Sequence, residues 1–216
     1  MRSAKLQVVH DRQDDQTDVV RRGYDALSFL YRGDDAQPRQ YRPWVERLVG
    51  ELAPHSRVLD VGCGCGVPVA RALAAAGHVV TGIDVSDRQI ERARLLVPKG
   101  TFIRADITEY QLPERSFEAV VALYSIIHVP LSRQQAVLHA FADSLVDRGL
   151  LLLIAGWEAW TGSDTTWLGG STEMWWSHAD NAIYCRWLDL AGFEVTENSL
   201  VPEGGSGHAL FWARRR

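Results

Sequence analysis

The sequence has little of what marks secreted or membrane-spanning proteins. Its 216 residues include only three cysteines, and so sparse and odd a number predicts a reducing compartment and no disulfide framework. No stretch approaches the ~20 consecutive apolar residues of a transmembrane helix. The segment from Met1 to Asp18 is polar and lacks the apolar core of a secretory signal. These absences together predict a cytoplasmic protein with no membrane partner.

An excess of positive charge is also missing. The chain has 23 Lys and Arg against 27 Asp and Glu, a net charge of −4, whereas a protein that binds nucleic-acid phosphates carries a basic face. The run Arg214–Arg216 is therefore interpreted as a solvated terminus. Because 46% of the residues are hydrophobic, the chain can bury a sizeable core, which argues against disorder. We expect a globular monomer or homodimer whose partner is a small molecule and not a nucleic acid.

From Arg57 onward, short apolar runs alternate with amphipathic segments. The runs predict strands at Arg57–Val61, His78–Asp84, Thr101–Arg104, Glu118–Leu123 and Leu150–Ala155. The amphipathic segments predict helices at Val67–Ala76, Asp87–Val97 and Arg133–Val146. This alternation is typical of a parallel sheet that is covered by helices on both faces. Right-handed crossovers bring the carboxyl ends of such strands to one edge, where ligands usually bind.

Both ends of the chain depart from this alternation. Helical periodicity at Val19–Tyr31 and Arg39–Leu52 predicts an N-terminal helical cap. At the other end, a predicted helix at Asn181–Leu190 precedes two strand-like runs, Phe193–Leu200 and His208–Ala213. The link between these runs is too short for a crossover, so they predict an antiparallel hairpin. The expected fold is α/β, with a doubly wound, mostly parallel seven-stranded sheet. The expected division is a tail and cap at 1–54 and the main domain at 55–216.

Residues 156–180 form a tryptophan-rich segment, predicted to be irregular and to cover the ligand edge. It holds five of the eight tryptophans: Trp157, Trp160, Trp167, Trp175 and Trp176. Indole rings at such a place can stack on a cation or a planar acceptor. They can equally build a small core of their own, and we expect both roles within the segment.

The turn after the first predicted strand is rich in glycine. Gly62, Gly64 and Gly66 allow a sharp turn and a close approach of backbone to ligand, at a helix N-terminus with free N–H groups. The dinucleotide-binding pattern Gly-x-Gly-x-x-Gly fails because Val67 occupies its last position. Asp60, two residues before the turn, suits a cationic group and repels a diphosphate. The two cysteines of the turn lack nearby ligand partners, so we expect no metal.

Acidic residues follow the next two predicted strands. Asp84 ends the second strand and Asp106-Ile107 follows the third, while Leu123 opens the segment through Pro130 after the fourth. Together with the glycine turn, these motifs resemble the class I S-adenosylmethionine-dependent methyltransferases, and most closely the bacterial small-molecule enzymes. The resemblance implies their Rossmann-like fold and S-adenosyl-L-methionine as cofactor, with S-adenosyl-L-homocysteine as product.

The resemblance also implies a role for each of these positions. Asp60 and the three glycines would hold the methionine part of the cofactor, with Leu123 beneath it. Asp84 and Val85 would hold the ribose hydroxyls, because a carboxylate can accept two hydrogen bonds from a cis-diol. Asp106 would accept from the adenine amino group, and the Ile107 N–H would donate to a ring nitrogen. Tyr24 would close over the methionine end.

The implied reaction moves a methyl group in line to a small-molecule acceptor. Such an enzyme mainly aligns the acceptor and excludes water, and it needs a base only for a protonated acceptor such as a hydroxyl. His128, after the fourth strand, and His178, at the end of the tryptophan-rich segment, are the candidate catalytic residues. Glu173 is a weaker candidate. His128 can alternatively be a loop histidine bonded to backbone.

Three other functions stay open at this stage. A nicotinamide-dependent oxidoreductase can use a similar fold, although Val67 followed by Pro68 argues against it. A non-catalytic binding module can retain the fold. A third variant binds the same sulfonium and uses it for chemistry other than methyl transfer.

Overall fold

A computed structural model describes residues 11–36, 39–203 and 205–216. Within these ranges the chain forms six α-helices and nine strands. The helices are α1 (Asp11–Tyr31), α2 (Tyr41–Glu51), α3 (Val69–Ala75), α4 (Asp87–Leu96), α5 (Leu131–Ser144) and α6 (Asn181–Leu190). The strands are β1 (Arg57–Val61), β2 (Val79–Asp84), β3 (Thr101–Arg104), β4 (Phe117–Ala122), β5 (Leu145–Gly156), β6 (Trp160–Asp164), β7 (Met174–His178), β8 (Phe193–Glu203) and β9 (Ser206–Arg215).

Seven of the described strands form one sheet in the order β3-β2-β1-β4-β5-β9-β8. The pairs β1–β2, β1–β4, β2–β3 and β4–β5 are parallel, whereas β9 runs antiparallel to both of its neighbours. The expected seven-stranded, mostly parallel sheet with an antiparallel C-terminal hairpin is therefore confirmed. The carboxyl ends of the parallel strands share one edge.

The core lies on both faces of this sheet. Alternate residues of β1 point to opposite faces, so that Leu59 and Val61 belong to one buried cluster and Val58 to the other. The same alternation separates Leu151 from Leu152 on β5. Burial of each side chain of this size stabilises the folded state by about 1.5–3 kcal/mol. The sheet is thus a rigid platform for whatever binds at its edge.

Helix α1 packs across this edge and is fixed to α4. The Asp25 carboxylate accepts from Ser86 Oγ at 2.7 Å and from the Arg88 N–H at 3.1 Å, at the N-terminus of α4, where negative charge is stabilised. The buried Arg92 donates to the carbonyl oxygens of Ser28 at 2.8 Å and Arg32 at 2.6 Å. These contacts make α1 a roof over the carboxyl ends of the strands.

Three predictions about these elements need correction. Helix α1 begins at Asp11 and not near Val19, because its polar first turns carry no apolar periodicity; residues 1–10 of the predicted tail lie outside the described ranges. Strand β5 begins at Leu145, so α5 ends earlier than expected. Asp147 and Arg148 are polar, so the apolar run that predicted this strand began only at Leu150.

The tryptophan-rich segment is not irregular throughout. It contains the two-stranded antiparallel sheet β6–β7, paired from Trp160 with His178 to Asp164 with Met174. Strand β6 is largely exposed and polar, so the sequence has no apolar alternation that could predict it. The hairpin packs beside α1, where a Cβ on Gly23 would lie 2.6 Å from Met174 Cε. In the described part of the chain, no helix is long and apolar enough to cross a membrane.

Candidate functional site

A cleft with about 820 Å³ of open space runs along the carboxyl ends of β1, β2, β3 and β4 beneath α1. Most of the predicted site residues line it. These are Tyr24, Gly62, Gly64, Asp84, Val85, Asp106, Ile107, Leu123 and His128. The strand order explains this convergence, because β1 lies between β2 and β4 and each strand ends at the same edge.

The glycine turn lies against the segment that follows β4, and at Gly62 no side chain would fit. Gly62 has φ +67°, and a Cβ there would lie 2.2 Å from the Cβ of Ser125. Gly64 has φ +53°, and its N–H donates to Asp84 Oδ2 at 2.8 Å. Gly66 lies outside the cleft lining, and its Cβ would meet Val97 at 3.0 Å. The structure thus gives Gly66 a packing role, whereas Gly62 and Gly64 face the ligand space.

Asp84 is held from both sides by backbone donors. Its Oδ2 accepts from Gly64, and its Oδ1 accepts from the Ser86 N–H at 2.9 Å. Burial raises the pKa of Asp84 to about 6, although these hydrogen bonds oppose the rise. Each carboxylate oxygen has a further lone pair. The fixed carboxylate can therefore accept hydrogen bonds from two adjacent hydroxyl groups.

Asp60 lies in a smaller pocket of about 380 Å³ that shares Tyr31, Gly62, Gly64 and Leu123 with the cleft. Its side chain is buried, and Oδ2 has no hydrogen-bond partner among the described residues. Burial, and then the charge of Asp84, raise the pKa of Asp60 to about 7. A buried carboxylate oxygen without a partner is costly, and a cationic ligand group would satisfy it.

The same pocket contains Arg32, a residue that the sequence analysis missed. Its guanidinium lies 5.0 Å from the ring centres of both Tyr31 and Tyr41, and Nε has no hydrogen-bond partner among the described residues. A carboxylate and a guanidinium in one pocket complement the ammonium and carboxylate of an amino acid. Arg32 follows α1 in the chain and carried no motif that could reveal this position.

The other end of the cleft is flat and apolar. Asp106 Oδ1 accepts from the Thr108 N–H at 2.8 Å, which orders the turn after β3. The surrounding lining is mostly apolar: Ala105, Ile107, Val129, Pro130, Val137 and Phe141. A slot with apolar walls and a polar turn suits a planar heterocycle.

His128 and Tyr24 form a hydrogen-bonded pair inside the cleft. Nδ1 of His128 lies 2.7 Å from the Trp175 carbonyl oxygen, which can only accept, so Nδ1 carries the proton. Nε2 therefore accepts from the Tyr24 hydroxyl at 2.9 Å. Burial lowers the pKa of His128 to about 4, so the imidazole is neutral near pH 7. The pair ties α1 to the sheet, and it leaves the Tyr24 oxygen with lone pairs for the cleft.

The structure does not bring His178 into the cleft lining. Its ring lies 6.2 Å from that of Trp160 and 6.1 Å from that of His208, packed against Gly156. Glu173 is exposed and also outside the lining. Neither residue lines the cleft in this structure, so a direct catalytic role for either stays a prediction.

The tryptophans form a layer behind the cleft wall. Trp167 lies 5.7 Å from the rings of both Tyr24 and Tyr31, and Trp176 lies 5.5 Å from the ring of His128. No tryptophan among the described residues lines the cleft itself. Their role is to support the residues that do.

Tyr124 is a second residue that the sequence analysis missed. It lines the cleft directly after β4, has φ +60°, and donates its hydroxyl proton to Glu203. Its position within the segment from Leu123 to Pro130 was a usable signal. The contact with Glu203, which is 79 residues away, was not visible in the sequence.

Comparison with known proteins gives a family for this arrangement. Residues 58–149 match the profile of a methyltransferase-domain family. The 27-O-demethylrifamycin SV methyltransferase of Amycolatopsis mediterranei is 40% identical over 94 residues, which are 40% of this chain and 35% of that protein. The chain therefore spans about a third of the length of this curated relative.

Solved structures of similar proteins share the fold over nearly the whole chain. The magnesium protoporphyrin IX methyltransferase of Synechocystis PCC 6803 with bound SAM superposes with TM-score 0.70 at 21% identity, covering 99% of this chain and 100% of that one. The 1,6-didemethyltoxoflavin-N1-methyltransferase of Burkholderia thailandensis gives TM-score 0.70 at 19% identity, with coverages of 99% and 92%. With its glycine turn and acidic strand ends at one sheet edge, the chain is similar over residues 58–149 to a methyltransferase-domain family, and it shares its fold with these two methyltransferases.

Proposed function

We propose that this protein binds S-adenosyl-L-methionine in the cleft and transfers its methyl group to a small-molecule acceptor. The observation that carries the proposal is a buried carboxylate oxygen of Asp60 that has no hydrogen-bond partner among the described residues, in a pocket that Arg32 also lines. This pocket opens beside a fixed carboxylate, Asp84, and an apolar slot. The family match and the ligands of the similar structures support the same conclusion.

The residues present fit each part of that molecule. Asp60 would take the ammonium group and Arg32 the carboxylate of the methionine part, with Gly62 and Gly64 allowing close approach. Asp84 would accept from the ribose hydroxyls, next to Val85. Asp106 and the Ile107 N–H would hold the adenine between the apolar walls of the slot. Tyr24 and Leu123 would enclose the methionine end.

When bound, S-adenosyl-L-methionine supplies a methyl group already activated on a sulfonium. The chain's own residues position and shield the reactants. Asp60 and Asp84 supply negative charge near a cationic ligand. The Tyr24 oxygen, whose proton is donated to His128, presents only lone pairs to the cleft. The roof of α1 and the apolar walls exclude water, which strengthens these electrostatic interactions.

The same features argue against the alternative functions. A nicotinamide dinucleotide would place its diphosphate at the glycine turn, where the carboxylate of Asp60 would repel it. A binding module that retains the fold, and an enzyme that uses the sulfonium for other chemistry, predict different outcomes of the experiment below. The sparse cysteines support a cytoplasmic location, and we propose a monomer or homodimer.

The test has a binding step and a turnover step. Calorimetry should detect binding of S-adenosyl-L-homocysteine, and Asp60→Asn should weaken that binding, whereas the exposed control Glu46→Gln should not. Purified protein is then incubated with a metabolite extract and methyl-labelled S-adenosyl-L-methionine, and the products are analysed by mass spectrometry. A labelled small molecule supports the proposal. Binding without any labelled product would leave a binding module, and a preference for NAD would contradict the proposal altogether.

A further inference from the structure

A polar cluster lies at the ends of β5 and β9, on the side of the cleft away from β2 and β3. His208 on β9 pairs with Gly156, the last residue of β5. The turn from β8 to β9 places Glu203 opposite Ser206. Both Glu203 and His208 reach Tyr124 at the cleft wall. The cofactor residues of the proposed function do not use this cluster.

The contacts in this cluster define the direction of two hydrogen bonds at the Tyr124 hydroxyl. Tyr124 donates its hydroxyl proton to Glu203 Oε1, and Gln40 Nε2 donates to the same hydroxyl oxygen at 3.4 Å. His208 Nδ1 lies 3.4 Å from Glu203 Oε2, and its ring centre lies 5.1 Å from that of Tyr124. The hydroxyl oxygen of Tyr124 keeps one further lone pair. It can therefore accept a proton from a third partner in the cleft.

The position of the cluster points to the acceptor and not to the methyl donor. The acidic residues proposed to hold the donor lie on β1, at the end of β2 and after β3, and β4 separates these strands from β5 and β9 in the sheet. An acceptor that approaches the cleft from the β5 side meets Tyr124 first. Across the cleft, His128 has both ring nitrogens engaged, by Tyr24 and by the Trp175 carbonyl, so it has no free lone pair for an acceptor proton.

We propose that Tyr124 and Glu203 remove the proton of a hydroxyl-bearing acceptor, with His208 positioning Glu203. This inference rests on the proposed methyl transfer. As the oxygen–carbon bond forms and the carbon–sulfur bond breaks, the hydroxyl proton moves to Tyr124 Oη and the Tyr124 proton moves to Glu203. The positive charge of the sulfonium and the negative charge of Glu203 both disappear. Glu203, whose side chain is 39% exposed, then returns the proton to water.

The surroundings of Glu203 suit a proton acceptor that is ionised at rest. The contact with His208 and the hydrogen bond from Tyr124 lower its pKa. The titratable groups that face the pair are His208 on β9, Tyr41 on α2 and Tyr31 on α1, and His178 on β7 faces His208. His178 packs against His208 and not against the reacting atoms, so it would support the position of His208.

The test compares Glu203→Gln, Glu203→Asp and Tyr124→Phe with the control Glu194→Gln. Glu194 is an exposed residue of the same strand and pairs with Arg148. The probes are S-adenosyl-L-homocysteine for calorimetry and methyl-labelled S-adenosyl-L-methionine with the metabolite extract for turnover. We expect all four variants to bind S-adenosyl-L-homocysteine within about threefold of the unmodified protein. Glu203→Gln and Tyr124→Phe should lower methyl transfer at pH 7 by ~10²-fold or more, and Glu203→Asp should recover part of that loss.

A pH profile separates proton transfer from a structural role. In Glu203→Gln the residual rate should rise about tenfold per pH unit from pH 7 to pH 9, because deprotonation must then occur in solvent. A purely structural defect would lower the rate by the same factor at every pH and would overturn the inference. A labelled product methylated on carbon, or undiminished transfer in Glu203→Gln, would overturn it as well. If the unmodified protein neither binds the probe nor labels any product, the proposed function itself fails.

Discussion

At the scale of single residues, the site depends on polar side chains that are held by hydrogen bonds within the protein and still have lone pairs available to a ligand. Asp84 illustrates this, because backbone N–H groups of Gly64 and Ser86 hold its two oxygens in place before any ligand arrives. A carboxylate that is already oriented loses little conformational entropy on binding. Most of its hydrogen-bond energy is then available to the ligand.

Replacing Asp84 should therefore weaken ligand binding. We expect Asp84→Ala to lower the affinity for S-adenosyl-L-homocysteine by roughly 1–3 kcal/mol, the typical effect of losing hydrogen bonds to a charged group. The matched control is Asp87→Ala, three residues along the chain and exposed, where a contact with Arg104 of 3.5 Å and a favourable charge in the first turn of α4 are lost. Calorimetry on both variants measures the effect. An unchanged affinity in Asp84→Ala would remove this carboxylate from the site.

The pair of Tyr24 and His128 makes a prediction about coupling. If His128 acts by orienting the Tyr24 hydroxyl, then Tyr24→Phe, His128→Ala and the double variant should lose similar amounts of affinity and turnover, with a coupling energy of about 1 kcal/mol. If His128 is instead the base, His128→Ala alone should slow an oxygen acceptor by ~10²-fold. A double-mutant cycle distinguishes the two. Additive losses would contradict the orienting role.

At the scale of elements, the sequence predicted best where one physical signal sufficed. Strands β1, β2 and β4 are largely buried on both faces, so their apolar runs predicted them. The turns at the strand ends predicted that Asp84 and Asp106 lie in the cleft. The helix predicted to begin at Asp87 does begin there, where the Ser86 hydroxyl accepts from the Gln89 N–H as its N-cap. The hairpin β6–β7 was missed because its outer strand faces solvent and its pairing is nonlocal.

Helix α1 shows how one buried side chain can fix a whole element. Arg92 is 4% exposed and also pairs with Asp34 Oδ1 at 2.5 Å. We expect Arg92→Met to lower the free energy of unfolding by about 3 kcal/mol, because it leaves buried carbonyl groups of the cap without a donor. It should also loosen the roof and weaken S-adenosyl-L-homocysteine binding. Urea unfolding and calorimetry measure both effects.

The control for this prediction is Arg42→Ala, at an exposed pair with Glu46 on α2. That change should alter neither the unfolding midpoint nor the affinity. A loss of stability in Arg92→Met without any loss of affinity would show that α1 is not needed to close the cleft.

At the scale of the whole molecule, the residues that the sequence did not reveal come from elements distant in the chain. Arg32 reaches the glycine turn from the cap, and Glu203 reaches β4 from the terminal hairpin. Local periodicity and turn chemistry carry no information about such approaches, because they depend on how α1 and β8 pack on the finished sheet. Most of the residues proposed to hold the methyl donor were therefore predictable from motifs, whereas Arg32 and the pair of Tyr124 and Glu203 required the tertiary structure.

The two buried carboxylates should also make stability depend on pH and ligand. The pKa of Asp60 is raised to about 7 and that of Asp84 to about 6, above their values in the unfolded chain. The folded state binds these protons more tightly, so the free energy of unfolding should fall as the pH rises from about 4 to about 7. The ammonium group of S-adenosyl-L-homocysteine would offset this cost at Asp60, so the increase in Tm on binding that ligand should grow over the same range.

Asp60→Asn isolates this effect. The neutral amide avoids the cost of a buried charge, so we expect the ligand-free variant to be more stable than the unmodified protein by roughly 2–4 kcal/mol at pH 8, and by less at pH 5. Its affinity for S-adenosyl-L-homocysteine should fall, because the ammonium group loses its carboxylate. Thermal unfolding with and without ligand at both pH values tests the two effects together. If the variant is instead less stable than the unmodified protein at pH 8, the ionised Asp60 stabilises the ligand-free fold, which would contradict this prediction.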